Sequence, residues 1–249
     1  MVRTLCIANQ KGGVGKTTTA INLAAGLAKA GKRTVLVDLD PQCNATSGLA
    51  VEPTTRHPFL QPEPIDQLIK HTDTERLSLI PGSRSFADSD ALAQGRVDTA
   101  TKLRQLSGNA ANWDYVLVDC PPSLGILTES ALTAATEVLM PVQCEYFAME
   151  GLTQMIHVIR RVMQQRGGQL QFSGVLLTMY DQTLELTVEV EEEVREFFGD
   201  IVYDTVIPRD VAVAEAPSFG QSVLDYAPRS RATRAYVELC MEVLDHEQG

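Results

Sequence analysis

Apolar and polar positions along the 249 residues follow two rhythms. Short runs rich in consecutive apolar residues, the mark of strands buried on both faces, occur at 5–8, 33–38, 77–80, 113–119, 137–142, 172–179 and 201–204. Between them apolar residues recur every three or four positions, which predicts helices over 20–27, 65–71, 86–106, 148–165, 186–198 and 230–244. Gly31 is expected to end the first helix. Residues 51–64 carry four prolines and no period, and are expected to form a surface loop. Strand and helix in alternation predict a doubly wound α/β fold, a mainly parallel sheet with helices on both faces. One domain over 1–249 is expected; the order of the strands is not legible in the pattern.

Composition adds two constraints. At 44% hydrophobic the chain can bury a large core, yet no apolar run is long enough to span a membrane. The N-terminus leads straight into a strand, so a cytoplasmic protein is expected. The five cysteines, Cys6, Cys43, Cys120, Cys144 and Cys240, show no Cys-x-x-Cys spacing and read as buried thiols. A formal charge of −11 opposes long-range attraction to a polyanion, so contact with nucleic acid would need a local basic patch.

The chemistry centres on Gln10 to Thr19, Gln-Lys-Gly-Gly-Val-Gly-Lys-Thr-Thr-Thr, which lies between a predicted strand and a predicted helix. Gly12, Gly13 and Gly15 let backbone N–H groups turn toward an anion, and the helix N-terminus adds positive potential. Lys16 can reach the outer phosphates of a nucleotide and the Thr17 hydroxyl can ligate magnesium. Asp40 leaves the second strand at its carboxyl end, where open α/β sheets bind ligands; a helix cap is its alternative role. Asp119 closes the apolar run 113–119 and reads as a Walker B magnesium ligand. Ser123, Leu124 and Gly125 then begin a segment able to sense a terminal phosphate.

Lys11 is a charge that an ordinary phosphate loop does not need. Residues 11–18, Lys-Gly-Gly-Val-Gly-Lys-Thr-Thr, resemble the deviant phosphate loop of the ParA/MinD ATPases, a SIMIBI-class family, and residues 37–42 resemble its second signature. Residues 141–152, 177–181 and 215–218 look like the ParA/Soj branch, so the resemblance covers nearly the whole chain. It implies that ATP and Mg2+ are bound by Lys11, Gly12, Gly13, Val14, Gly15, Lys16, Thr17 and Thr18. It further implies that Lys11 crosses to the nucleotide of a second subunit, that Asp40 orients the attacking water, and that Asp38 lies behind the magnesium. Pro208, Arg209 and Asp210 would lie by the adenine, although the family usually carries asparagine where Asp210 stands. Cys43 also replaces a glycine of the usual pattern.

The same resemblance implies a homodimer with ATP, hydrolysis that is slow until a ParB-like partner with a basic N-terminal segment stimulates it, and nonspecific DNA binding. Two family arginines are replaced by Thr183 and Ala212, which leaves Arg209, Arg229, Arg231 and Arg234 as the candidate DNA contacts. An orphan positioning ATPase that does not use DNA and a metabolic ligase on the same fold are the alternatives. A MinD-like membrane ATPase is disfavoured because residues 237–245 are acidic where that relative carries a basic amphipathic helix.

Overall fold

The computed structural model describes residues 2–61, 64–86, 98–108, 111–145, 148–165 and 169–246. Its strands are β1 (Arg3–Ile7), β2 (Thr34–Asp38), β3 (Lys70–His71), β4 (Leu77–Ile80), β5 (Tyr115–Asp119), β6 (Glu137–Gln143), β7 (Gln171–Tyr180) and β8 (Val202–Pro208). They form one sheet in the order β3-β4-β2-β5-β1-β6-β7-β8. Every pairing is parallel except that of β3 with β4. The helices are α1 (Lys16–Lys29), α2 (Asn44–Gly48), α3 (Thr99–Ser107), α4 (Ile126–Ala134), α5 (Ala148–Gln165), α6 (Glu185–Phe198), α7 (Val211–Glu215), α8 (Val223–Tyr226) and α9 (Arg231–Asp245).

The period of two along each strand divides the core. In β1, Cys6 belongs with one apolar cluster, which includes residues of α3, α4, α5 and α6, while Leu5 and Ile7 belong with the other, built from α1, α8 and α9. In β5 the same division sends Val116 and Val118 to the first cluster and Tyr115 and Leu117 to the second. A sheet with both faces covered buries its strands completely, which is why β2 and β5 are buried at every residue. The doubly wound fold expected from the alternation is therefore the fold observed.

Most predicted elements are present, and their ends have identifiable causes. After α1, Gly31 adopts φ +89 while Lys32 N–H donates to Leu27 O and Gly31 N–H to Ala28 O, a complete Schellman motif. The expected short helix at 65–71 is instead a 3-10 turn, Ile65–Gln67, followed by the edge strand β3, whose two residues are exposed. So short a segment gave the helical period too little length to be diagnostic. The last strand continues past 204 to Pro208 through its pairing with β7 at Val206 and Pro208, while the polar Asp204 and Thr205 donate their backbone N–H groups to Glu242 of α9 at 3.0 and 2.9 Å. Of the helix expected at 86–106, α3 is observed, and residues 87–97 lie outside the described residues. All five cysteines are buried free thiols.

The order β5-β1-β6 makes β1 the topological switch point. The chain leaves β1 toward β2 on one side and returns later to β6 on the other. The loop after β1 thus opens at the carboxyl edge of the sheet, where such folds form a crevice.

Candidate functional site

The loop from Ala8 to Gly15 joins β1 to α1, and two of its glycines are conformationally required: Gly13 has φ +76 and Gly15 φ +88. Gly15 is the residue before α1, so the loop delivers its backbone directly to a helix N-terminus, which carries positive potential. Thr178 of β7 braces the loop from below, its hydroxyl donating to Val14 O at 2.9 Å. Lys16 is only 6% exposed and its ammonium donates to the backbone oxygen of Lys11 at 2.8 Å. Burial lowers its pKa, and the nearby carboxylates of Asp119 and Asp40 act in the opposite direction.

Asp38 and Asp119 sit opposite each other in the β2–β5 register, and the protein treats them differently. Asp38 Oδ2 accepts from Thr46 N–H at 2.9 Å and from the Thr46 hydroxyl at 2.6 Å, and Oδ1 accepts from Asp40 N–H at 3.1 Å. The Thr46 hydroxyl in turn accepts from Gly82 N–H at 2.8 Å. Gly82 is needed at that point, since a Cβ there would stand 3.0 Å from the Asp38 carboxylate. Burial still pushes Asp38 up to about 6.

Asp119 is fully buried, and neither of its carboxylate oxygens has a hydrogen-bond partner. Burial, then the charge of Asp38, raises its pKa well above the ordinary carboxylate range, opposed by the Thr17 hydroxyl and the Lys16 ammonium. An unpaired carboxylate in such a place is costly unless a cation balances it. No group of three or more His, Cys, Asp or Glu side chains able to hold a metal occurs among the described residues. One carboxylate beside one hydroxyl suits magnesium, which keeps several waters and takes phosphate oxygens as further ligands, rather than an all-protein metal cage.

Asp40 is 6% exposed, and its Oδ1 accepts from Gln42 N–H at 2.9 Å in a turn ahead of α2, whose cap position is Cys43, so Asp40 is not the helix cap; it stands close enough to act on Lys16. Lys11 Nζ meets Glu145 Oε2, just past β6, at 3.2 Å. The sequence reading did not single out Glu145, and it also passed over His57 and Thr178. His57 is fully buried behind Asp38, its Nε2 3.1 Å from Asp38 O. A histidine amid four prolines reads as loop, and the only sequence signal for it would have been the apolar Pro-Phe-Leu that follows.

The other expected contacts separate into two places. A cleft of about 390 Å³ beside α1 is lined by Thr17, Thr18, Asn44, Val213, Ala216 and Pro217, among others. Pro208 and Arg209 lie instead in a second cleft of about 450 Å³, together with Arg231 and Arg234. Asp210 is occupied by backbone: Oδ1 accepts from Ala212 N–H at 3.0 Å and Oδ2 from Ala232 N–H at 3.2 Å, so it caps both α7 and α9. The Pro208–Asp210 segment and the phosphate-loop cleft are thus lined by different sets of side chains. Arg209, Arg231 and Arg234 converge, with Arg231 donating to Arg209 O at 3.3 Å, but Asp181 and Glu238 line the same cleft. Arg229 is exposed and lies outside that lining. A roomier cavity of about 690 Å³, lined by Arg3, Asp114, Glu137 and His246, contains none of the predicted site residues. Among the described residues no helix is long and apolar enough to cross a membrane.

Comparison with known proteins adds the following. A family model described as an AAA domain matches residues 2–172. The chain is 45% identical over 249 residues to the sporulation initiation inhibitor protein Soj of Bacillus subtilis, covering 98% of each. It is 44% identical over 256 residues to the chromosome partitioning protein ParA of Caulobacter vibrioides, covering 99% of this chain and 96% of that one. Among solved structures it is similar to the cobyrinic acid a,c-diamide synthase of Mycobacterium smegmatis with a bound ATP analogue and magnesium. That match has a TM-score of 0.86 and 32% identity, and covers 100% of this chain and 96% of the other.

Proposed function

The chain belongs to the Soj/ParA family of chromosome-partitioning ATPases, and from that premise we propose that it is a dimerising ATP switch whose phosphate loop, Lys11–Thr18, binds ATP with magnesium. The observation that carries this reading is the fully buried Asp119 carboxylate with no partner on either oxygen, facing the loop that carries Lys16 and Thr17. Thr17 and Asp119 are the residues that would bind the cation, directly or through its waters, and magnesium when bound supplies charge neutralisation to the phosphates. Lys16, now bonded to Lys11 O, would exchange that oxygen for the outer phosphate oxygens. Asp38, with both oxygens already bonded, serves from behind, ordering Thr46 and Asp40. Asp40 would orient the attacking water by accepting a hydrogen bond from it.

Lys11 carries the dimer step. Among the described residues its side-chain partner is Glu145, in a pair exposed enough to be weak, so the ammonium is available to the nucleotide of a second copy. Turnover is slow without a partner, and a ParB-like protein with a basic segment suits the net charge of −11 as activator. Arg209, Arg231 and Arg234 contact DNA without reading sequence, weakened by Asp181 and Glu238 in the same cleft. The metabolic-ligase alternative has a likeness at 32% identity in its favour, set against 45% to Soj and against Lys11.

The test is hydrolysis of ATP followed with and without magnesium in the wild type and in Asp119→Ala. Magnesium-dependent phosphate release in the wild type, absent from the variant while unfolding stays cooperative, is the expected result. Equal release by both proteins would remove Asp119 from the site.

A further inference from the structure

His57 occupies an unusual station. It lies in the irregular segment between α2 and β3, yet its ring is fully buried against the carboxyl end of β2. Two contacts define its chemistry. Asp38 O, 3.1 Å from Nε2, is a carbonyl and can only accept, so Nε2 carries a proton. Phe59 N–H donates to Nδ1 at 3.2 Å, so Nδ1 does not. Together they fix one neutral tautomer. The ring also stacks on Phe86 at a centroid distance of 3.7 Å and an interplanar angle of 5°, and meets the edge of Phe59 at 5.0 Å.

The sheet explains why a side chain is wanted here. The pairing of β2 with β4 ends at Val37 opposite Ile80. The register would next bring Gly82 N–H to the Asp38 carbonyl, but that donor is taken by the Thr46 hydroxyl at 2.8 Å. The backbone oxygen of Asp38, one residue beyond the last paired position, receives its donor from His57 instead. The segment that follows Asp38 carries the site: Asp40 N–H is bonded to Asp38 Oδ1, Gln42 N–H to Asp40 Oδ1, and Cys43 N–H to Asp40 O at 2.8 Å. Cys43 then turns through φ +57 into α2, whose Thr46 closes back on Asp38.

We propose that His57 is a positioning residue for hydrolysis: its Nε2–H extends the sheet by one bond to the Asp38 carbonyl and so fixes the turn that presents Asp40. This rests on the reading of Asp40 as the water-orienting group. Two polar variants divide the ring's two bonds. In His57→Gln the amide nitrogen takes the place of Nε2, keeping the donor to Asp38 and losing the acceptor for Phe59. In His57→Asn the shorter side chain can serve Phe59 through its oxygen but cannot reach Asp38.

The experiment compares these variants with the wild type in two readouts. One is amide hydrogen exchange of residues 38–46 in the nucleotide-free protein, and the other is kcat against ATP affinity. Expected for His57→Asn is faster exchange confined to 38–46 and a fall in kcat of about tenfold with ATP affinity unchanged, both restored toward wild type in His57→Gln. Equal behaviour of the two variants in exchange and kcat, whether both normal or both impaired, would overturn the proposal, because a merely structural ring does not distinguish them. A wild type without hydrolysis would sink the ATPase reading instead. The exchange comparison then decides separately whether His57 fixes the segment.

Discussion

Asp38 and Asp119 end two neighbouring parallel strands at the same level of the sheet, yet the Asp38 carboxylate accepts three hydrogen bonds from the protein and the Asp119 carboxylate accepts none. One carboxylate is held by the protein and the other is buried without a partner. That asymmetry underlies the first prediction.

Replacing Asp119 with asparagine is expected to stabilise the nucleotide-free protein while abolishing its magnesium response. The folded pKa of Asp119 lies above its unfolded value, so the folded state binds more protons there, and stability falls as pH rises from the unfolded value through the folded one. At pH 8 the variant should be more stable by about 1–3 kcal/mol, since a buried unsatisfied charge is removed. Thermal unfolding at pH 5 and pH 8 measures it; a wild type and variant with the same pH dependence would contradict the assignment.

His57 gives a shift of the opposite sense. Burial lowers it from 6.5 to about 4, a difference of about 2.5. The unfolded chain therefore takes up a proton at higher pH than the folded one, and stability that is complete above 6.5 is lost as pH falls toward 4. At 1.36 kcal/mol per pKa unit the loss approaches about 3 kcal/mol. The readout is the stability difference between wild type and His57→Gln, which should shrink by that amount between pH 7.5 and pH 4. A difference that stays constant would mean the ring is not buried as a neutral group.

Asp40→Ala should still bind ATP and turn over about a hundredfold more slowly. In that background light scattering should find a monomer with ADP and a dimer with ATP, and Lys11→Ala should remain monomeric with both. Glu145→Ala removes only a half-exposed pair worth about 0–1 kcal/mol, so it should tighten ATP-dependent dimerisation by no more than a few-fold. A Lys11→Ala protein that dimerises normally would refute the crossing lysine.

DNA binding by the ATP-held Asp40→Ala dimer should be weak, independent of sequence and lost as salt rises through the physiological range. Arg231→Glu with Arg234→Glu should abolish it. Asp181→Asn with Glu238→Gln should strengthen it and steepen its salt dependence, because two acids leave the arginine cleft. If no duplex is retained at low salt by any of these dimers, the cleft does not serve DNA.

Much of this was legible in the sequence because it is local. The phosphate loop, with Gly13 and Gly15 in the left-handed region, is encoded in a few consecutive residues, and the strands β1, β2 and β5 announce themselves by continuous apolar runs. What escaped was long-range. Nothing near Asp204 says that its N–H will be taken by Glu242 nearly forty positions later, and nothing near His57 says that its ring will complete a strand ending at Asp38. Asp210 shows the same limit: its type suggested a changed base contact, while its role as a double cap depends on α9 arriving beside α7. Strand order, set by which crossover packs where, is likewise absent from any local window.

The clasp of Glu242 on Asp204 and Thr205 also governs how copies of the chain can meet. β8 is the outermost strand of its side, and an outer strand with open N–H groups invites another chain to add on. Here consecutive donors of that rim are already taken by α9 of the same molecule. The opposite rim is β3, two residues long, too short a template to recruit a neighbour. Among the described residues, neither rim thus offers a long open ladder on which a second chain could add a strand.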